Sequence, residues 1–407
     1  MISRLRTMPK IVYYLLFCFL LSFARAQQTP QTNGPFVGLG KDIKLHSEIL
    51  KEDRPCSIYV PQSYEQSTFA PKRYPVLYLL DGNEWSFRWV SQLVQYMADC
   101  EQIPELIVVA IPNVNRNRDF TPTLGPGIAS SGGGESFERF LNEEVAAYVD
   151  AHFRTAPYRI LVGHSFGGVL AMDSFLRKTN GFQAYLALDP SLFWDNGILV
   201  RHAEEILPIA KDFHNAVFIA TAAHPLSFLD KSSLATNSIK LASERFFKIL
   251  KKCPSPGLQV KYQHFDSEDH GSVRLVGLYD GLRFVFEDYK PQNSSALDTP
   301  PLFTDNFRKV SNRLGFPMLP PEQYVNEIAY WLLEVHETDR AIACFKLNVT
   351  NYPGSSDAYA SLAEAYVAKG DRQLAKSDFE KSLQLSPGNT KAANGLKTLD
   401  VGGAMQP

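Results

Sequence analysis

From residue 45 to about 290 the chain alternates short apolar runs with stretches whose apolar positions recur every three to four residues. The runs are six or seven residues long and rich in Val, Ile, Leu and Tyr, with little polar alternation, which reads as strands buried on both faces. They fall at 55–60, 74–80 (YPVLYLL), 106–111 (LIVVAI), 158–163, 183–188, 216–221 and 258–264. Helical periodicity occupies 87–100, 135–152, 166–178, 232–252 and 272–288 between them. Strands separated by a helix's length of chain cross over rather than fold back as hairpins, so the pattern predicts an α/β domain: a mostly parallel sheet with helices on both faces.

Residues 290–321 change character. PQNSSALDTPP and GFPMLPPE are rich in Pro, Ser and Asn, which oppose regular structure and suit a connection over the surface. Beyond it two segments align at a spacing of 34: Ile328, Ala329, Leu332, Ala341, Phe345 and Pro353 recur as Leu362, Ala363, Tyr366, Ala375, Phe379 and Pro387. The alanines let paired helices approach closely, and the period and pattern resemble tetratricopeptide repeats, two of them, with a capping helix at 390–399. The expected organisation is the α/β domain over 27–290, a linker over 291–321 and the repeats with their cap over 322–399.

Composition narrows the partners more than the fold. The 407 residues are 45% hydrophobic and 21% charged with a formal charge of −2, so no bulk field recruits nucleic acid or an anionic membrane surface. At the N-terminus Arg4, Arg6 and Lys10 precede an apolar block from Ile11 to Phe23, followed by Ala24-Arg25-Ala26. This is the pattern of a signal peptide over 1–26, too short in its apolar part for a permanent membrane anchor, and it implies export to the periplasm or beyond. Cys56, Cys100, Cys253 and Cys344 remain after cleavage; none has metal-ligand spacing, and the sequence selects no pairing among them. No cofactor or metal is called for.

The chemistry centres on RILVGHSFGGVLAMDSF, residues 159–175. Gly163-x-Ser165-x-Gly167 stands where a buried strand switches to helical periodicity, which is the context of a nucleophile elbow: small residues on either side let the turn pass close to neighbouring backbone. The N-terminus of the following helix favours the negative charge that develops on an attacked carbonyl oxygen. A serine hydroxyl needs a base. Of nine histidines, His270 stands after the last strand in the polar loop FDSEDHGS and before a helix, which is the expected place. His264 lies within the strand and reads as packed, and His164 adjoins the nucleophile with its ring directed elsewhere. For the orienting acid the loop after strand 216–221 offers Asp230, nine residues on; Asp189 after strand 183–188 is the alternative, Asp266, Glu268 and Asp269 flank the base, and a Ser-His dyad without an acid also stays open. Oxyanion donors are expected from Phe166 in the elbow and from Gly82 and Asn83 in the loop LLDGNEW.

With these residues in place the chain resembles the esterase family of α/β-hydrolases, the group that includes esterase D-like and ferri-enterobactin esterase-like enzymes. The stretches that carry the likeness are YPVLYLLDG, PNVNRNRDFTP, GHSFGG, LDPSLFWD and EDHGSV. The resemblance implies Ser165 as nucleophile and His270 as base, and it makes Arg116 and Arg118 candidate contacts for an anionic substrate, with Trp85 and Trp194 as candidate pocket walls. The expected function is a secreted serine esterase that cleaves carboxylic esters through an acyl-enzyme, siderophore lactones among them. An acyltransferase on the same residues, or a scaffold that binds a protein partner through its repeats, are the alternatives.

Overall fold

Apolar runs long enough to span a sheet form its centre, and the more polar runs form its edges. The computed structural model describes residues 40–65, 72–125, 127–179, 181–223, 233–290 and 300–403; the expected signal segment and Asp230 lie outside the described residues. The seven expected strands are β2 (Glu52–Tyr59), β3 (Tyr74–Leu80), β4 (Ile107–Ile111), β5 (Thr155–His164), β6 (Ala184–Leu188), β7 (Ala216–Ala222) and β8 (Gln259–Phe265), preceded by a further strand β1 (Lys41–Ser47). Every residue of β3, β4, β6 and β7 is buried, as expected of strands covered on both faces. β1 (KDIKLHS) is mostly polar because it lies at an edge, which is why its sequence carries no strong apolar signal.

The eight strands lie in the order β1-β2-β4-β3-β5-β6-β7-β8. β1 pairs antiparallel to β2, and β2 to β4; the other pairs are parallel. The mostly parallel sheet matches the α/β-hydrolase type of fold. Leu80 stands opposite Ile111, His164 opposite Leu188, Leu188 opposite Ala220, and Ala222 opposite Phe265. That register brings the residues that follow each strand to one edge of the sheet: Asp81, Ser165, Asp189, Ala223 and the loop 266–272. The strand order also reverses at β3, between β4 and β5, where open α/β sheets hold their ligands.

The helix after β5, Phe166–Arg177, is buried from Gly167 to Leu176. Its approach to the sheet requires glycine: a Cβ on Gly163 would stand 2.0 Å from the Gly167 carbonyl oxygen, and one on Gly168 would stand 2.7 Å from the Pro190 Cβ. The helix Trp194–Ile206 has no counterpart in the apolar pattern because its first turn is broken, with φ of 46°, 54° and 73° at Asp195, Asn196 and Gly197.

Part of the connection expected to be irregular is a helix, Pro301–Leu314. Proline is tolerated in a first helical turn, and Phe303, Phe307, Val310 and Leu314 line one buried face at helical spacing, so the prolines start this helix instead of preventing it. The helices beyond begin at Glu322, Thr338, Ser356, Arg372 and Thr390, and the first and third, second and fourth, and third and fifth starts are each 34 positions apart. Ala329, Ala341, Ala363 and Ala375 are fully buried in their shared core. This block joins the α/β body through aromatic pairs: Tyr158 with Phe316 at 5.8 Å and Tyr289 with Phe307 at 5.4 Å between ring centroids. Among the described residues no helix is long and apolar enough to cross a membrane.

Candidate active site

Ser165 falls between the end of β5 and the start of the buried helix, with φ 58° and ψ −116°. A side-chain-bearing residue is strained there by about 1–3 kcal/mol, and the neighbouring backbone holds it in place. Its N–H donates to the Leu188 carbonyl at 3.1 Å, and its own carbonyl accepts from Val169 N at 3.1 Å and Ser191 N at 3.2 Å. The bend lifts the hydroxyl out of the helix, where Ser165 Oγ lies 3.2 Å from Ser191 Oγ.

His270 comes to this edge on the loop after β8. Its Nδ1 lies 2.6 Å from Asp189 Oδ2, and because a carboxylate only accepts, Nδ1 carries the hydrogen and Nε2 is the basic nitrogen. Asp189 is fully buried, directly after β6, with its other oxygen accepting the Ala222 N–H at 3.0 Å. The His270 ring lies 4.3 Å, centroid to centroid, from that of His164, the residue before Ser165, which brings the imidazole beside the elbow. Among the described residues the acid that meets His270 is Asp189, the alternative; the favoured Asp230 lies outside the described residues. The usual position after β7 was favoured on the sequence, but here the turn after β6 delivers a carboxylate under the base with its backbone at φ 47°. His264 is packed as expected, Nδ1 lying 2.9 Å from Thr221 Oγ1.

The loop after β3 supplies fewer donors than its glycine promised. The Gly82 N–H is committed to the Ile111 carbonyl at 3.0 Å, which removes it as an oxyanion donor. The Asn83 N–H closes a tight turn onto the Asp81 carbonyl at 2.9 Å, and its side chain caps the next helix by accepting from Ser86 N. Phe166 opens the buried helix, so its N–H has no acceptor within the helix.

Neither arginine is an uncommitted cation. Arg116 makes a two-point contact with Asp81 at 2.8 and 3.0 Å, donates to the His164 carbonyl at 3.2 Å, and stands over the Phe120 and Phe166 rings. It straps the β3 loop to the elbow, with Asn113 also bonded to Asp81. Arg118 is divided between Glu52 at 2.5 Å and Asp119 at 2.7 Å, and these carboxylates, Glu52 foremost, raise its pKa further. Trp194 is buried edge-on against Phe166 at 5.1 Å, with Nε1 donating to Thr123 Oγ1 at 3.1 Å, and so forms a wall behind the elbow. Trp85 is 61% exposed, and the Arg274 guanidinium, which the sequence reading passed over, stands 5.1 Å above its ring. Asp81 and Ser191 were also missed, although LLDG and LDPS had drawn attention to their stretches. Among the described residues no group of three or more His, Cys, Asp and Glu is placed to hold a metal ion.

The fold and its relatives define a carboxylic ester hydrolase. Residues 47–219 match the family described as "Putative esterase". The crystal structure of an IroE-like serine hydrolase from Shewanella oneidensis superposes with a TM-score of 0.66 and 32% identity, covering 76% of this chain and 98% of that one. The chain belongs to this esterase family. It is also 26% identical to the ferri-bacillibactin esterase BesA of Bacillus subtilis, over 66% of this chain and 99% of that protein. With the siderophore triacetylfusarinine C esterase of Aspergillus fumigatus it shares 23% identity over 56% of this chain and 87% of that protein.

Proposed function

We propose that this esterase works through an acyl-enzyme on Ser165 and that its substrates are siderophore esters. The observation that carries the mechanism is the 2.6 Å contact between buried Asp189 and His270 Nδ1 beside the strained elbow. The carboxylate fixes the tautomer in which Nε2 is the basic nitrogen that takes the Ser165 proton, and later stabilises the imidazolium. Ser165 Oγ attacks the ester carbonyl, and charge on its oxygen is received by the N–H groups of Phe166 and Asn83. His270 then returns the proton to the leaving alcohol. Water repeats the sequence to release the acid; an alcohol acceptor in its place would make the enzyme a transferase.

The substrate class rests on the two curated relatives, which are named as esterases of siderophores. Exposed Trp85 under Arg274 offers a flat, cationic rim to such a ligand. Export through the segment 1–26, and tetratricopeptide repeats over 322–399, belong to the same proposal; the 34-residue spacing of helix starts supports the repeats. The deciding experiment is hydrolysis of p-nitrophenyl butyrate and of a catecholate trilactone by purified protein. Ser165→Ala is expected to reduce both by roughly a thousandfold or more; unchanged turnover would end the serine mechanism, and hydrolysis of the simple ester alone would end the siderophore assignment.

A further inference from the structure

His164 takes no part in the acyl transfer set out above, yet its imidazole is half-buried between the elbow and the base. Its Nε2 lies 2.6 Å from the backbone carbonyl oxygen of His270. A carbonyl only accepts, so Nε2 carries the hydrogen and the ring is the donor. Burial foremost, with the neighbouring His270 and Arg274 adding to it against the opposing pull of Asp189 and of that hydrogen bond, lowers its pKa to about 3. The donor therefore persists unchanged while His270 gains and loses its proton.

We propose that His164 is a positioning residue that fixes the backbone of the general base. The loop 266–272 has internal bonds that shape it: Asp269 Oδ1 accepts from Gly271 N and Ser272 N at 2.7 Å, and Ser272 Oγ accepts from Asp269 N at 2.9 Å. These bonds do not attach it to the sheet. Among the contacts that attach it are Ala223 N, which donates to the Glu268 carbonyl at 3.1 Å, Asp189, which holds the His270 ring, and His164, which holds the His270 main chain. A ring held at Nδ1 moves with the backbone that carries it, and an anchor at the carbonyl restricts that movement. The residue beside the nucleophile thus sets the distance over which the proton must pass, and a displacement of about 1 Å in such a pair lowers the rate about a hundredfold.

This inference rests on the Ser165–His270 reading, and its test separates the two. His164→Leu removes the donor at similar volume, whereas His164→Gln returns an N–H at nearly the same reach. In the full-length protein, His164→Leu is expected to lower kcat for p-nitrophenyl butyrate about a hundredfold with KM little changed. It should also slow labelling of Ser165 by a fluorophosphonate and speed amide hydrogen exchange over 268–272. His164→Gln should restore the rate, the labelling and the protection. If His164→Leu does not fold, His164→Asn, whose amide stops short of the carbonyl, takes its place. Wild-type kcat and loop protection in the donorless variant would overturn the proposal, as would a loss in kcat without faster exchange, or a Gln variant as impaired as Leu. Should Ser165→Ala and His270→Gln prove as active as wild type, the serine mechanism fails instead, and loop exchange alone still decides whether His164 is the anchor.

Discussion

Asp189 and Asp230 divide the question of the acid at the scale of single residues. Asp189→Asn keeps an oxygen for the Ala222 N–H but removes the charge that selects the His270 tautomer, so kcat is expected to fall about 10²–10⁴-fold with KM little changed. Asp230→Asn is expected to leave kcat at the wild-type value; the reverse pattern in steady-state kinetics would reinstate the acid after β7. His164 allows a second test, in stability. Its pKa is about 3 in the folded chain and near 6.5 unfolded, so between those values the unfolded state binds more protons. The folded state is fully favoured above pH 6.5 and loses stability as pH falls toward 3, by up to roughly 1.4 kcal/mol per pH unit from this residue. Urea melts of His164→Gln should show a shallower decline than wild type over that window; parallel curves would mean that the ring is charged in the folded chain. Ser165 and His270 were legible in the sequence because each stands at a change of period, strand to helix or strand to loop. Asp189 was harder to read because both loops hold a carboxylate, and only the place of β6 in the sheet shows that the turn after it reaches His270.

Between residues and molecule stands the strand–elbow–helix unit, where the sequence spoke most plainly. An apolar run into the turn at residues 160–162, three glycines and an apolar helix are all consequences of burying a strained turn, which is why they stand out in the sequence. Gly163→Ala tests the unit: the added methyl would stand 2.0 Å from the Gly167 carbonyl oxygen, and both partners are backbone. The variant is expected to lose about 3 kcal/mol or more in denaturant melts, or to be recovered only as aggregate. Gly271→Ala, whose Cβ would stand no closer than 3.3 Å to the far end of the Asp269 side chain, should melt close to wild type. Elements whose form depends on distant packing were the ones missed. β1 is mostly polar because one edge of a sheet faces water, and Pro301–Leu314 was hidden by the prolines around it until its buried stripe of Phe303, Phe307 and Val310 was set against a core.

Across the whole molecule the C-terminal helices and the site lie at opposite ends of the sheet. β5 carries Tyr158 six positions before His164, about 20 Å along a strand, and Tyr158 is one of the rings that meet the C-terminal block. The helix Val273–Val285 covers a similar span, starting at the base loop and ending just before Tyr289, which is buried against Phe307. One helix thus connects the candidate-site edge and the helical block, and among the described residues none of that block is among those that form the site. If the block stabilises the body by covering its aromatic base, then Tyr289→Ala should lower global stability by about 3 kcal/mol, through lost burial and the cavity left beside Phe307, and leave kcat per folded molecule unchanged. If instead the block acts on the site along that helix, kcat should fall at temperatures where circular dichroism still shows a native chain. Measuring ester turnover and the melting curve on the same Tyr289→Ala preparation distinguishes these outcomes, and the separation of about 20 Å between the ring and the base loop favours the first.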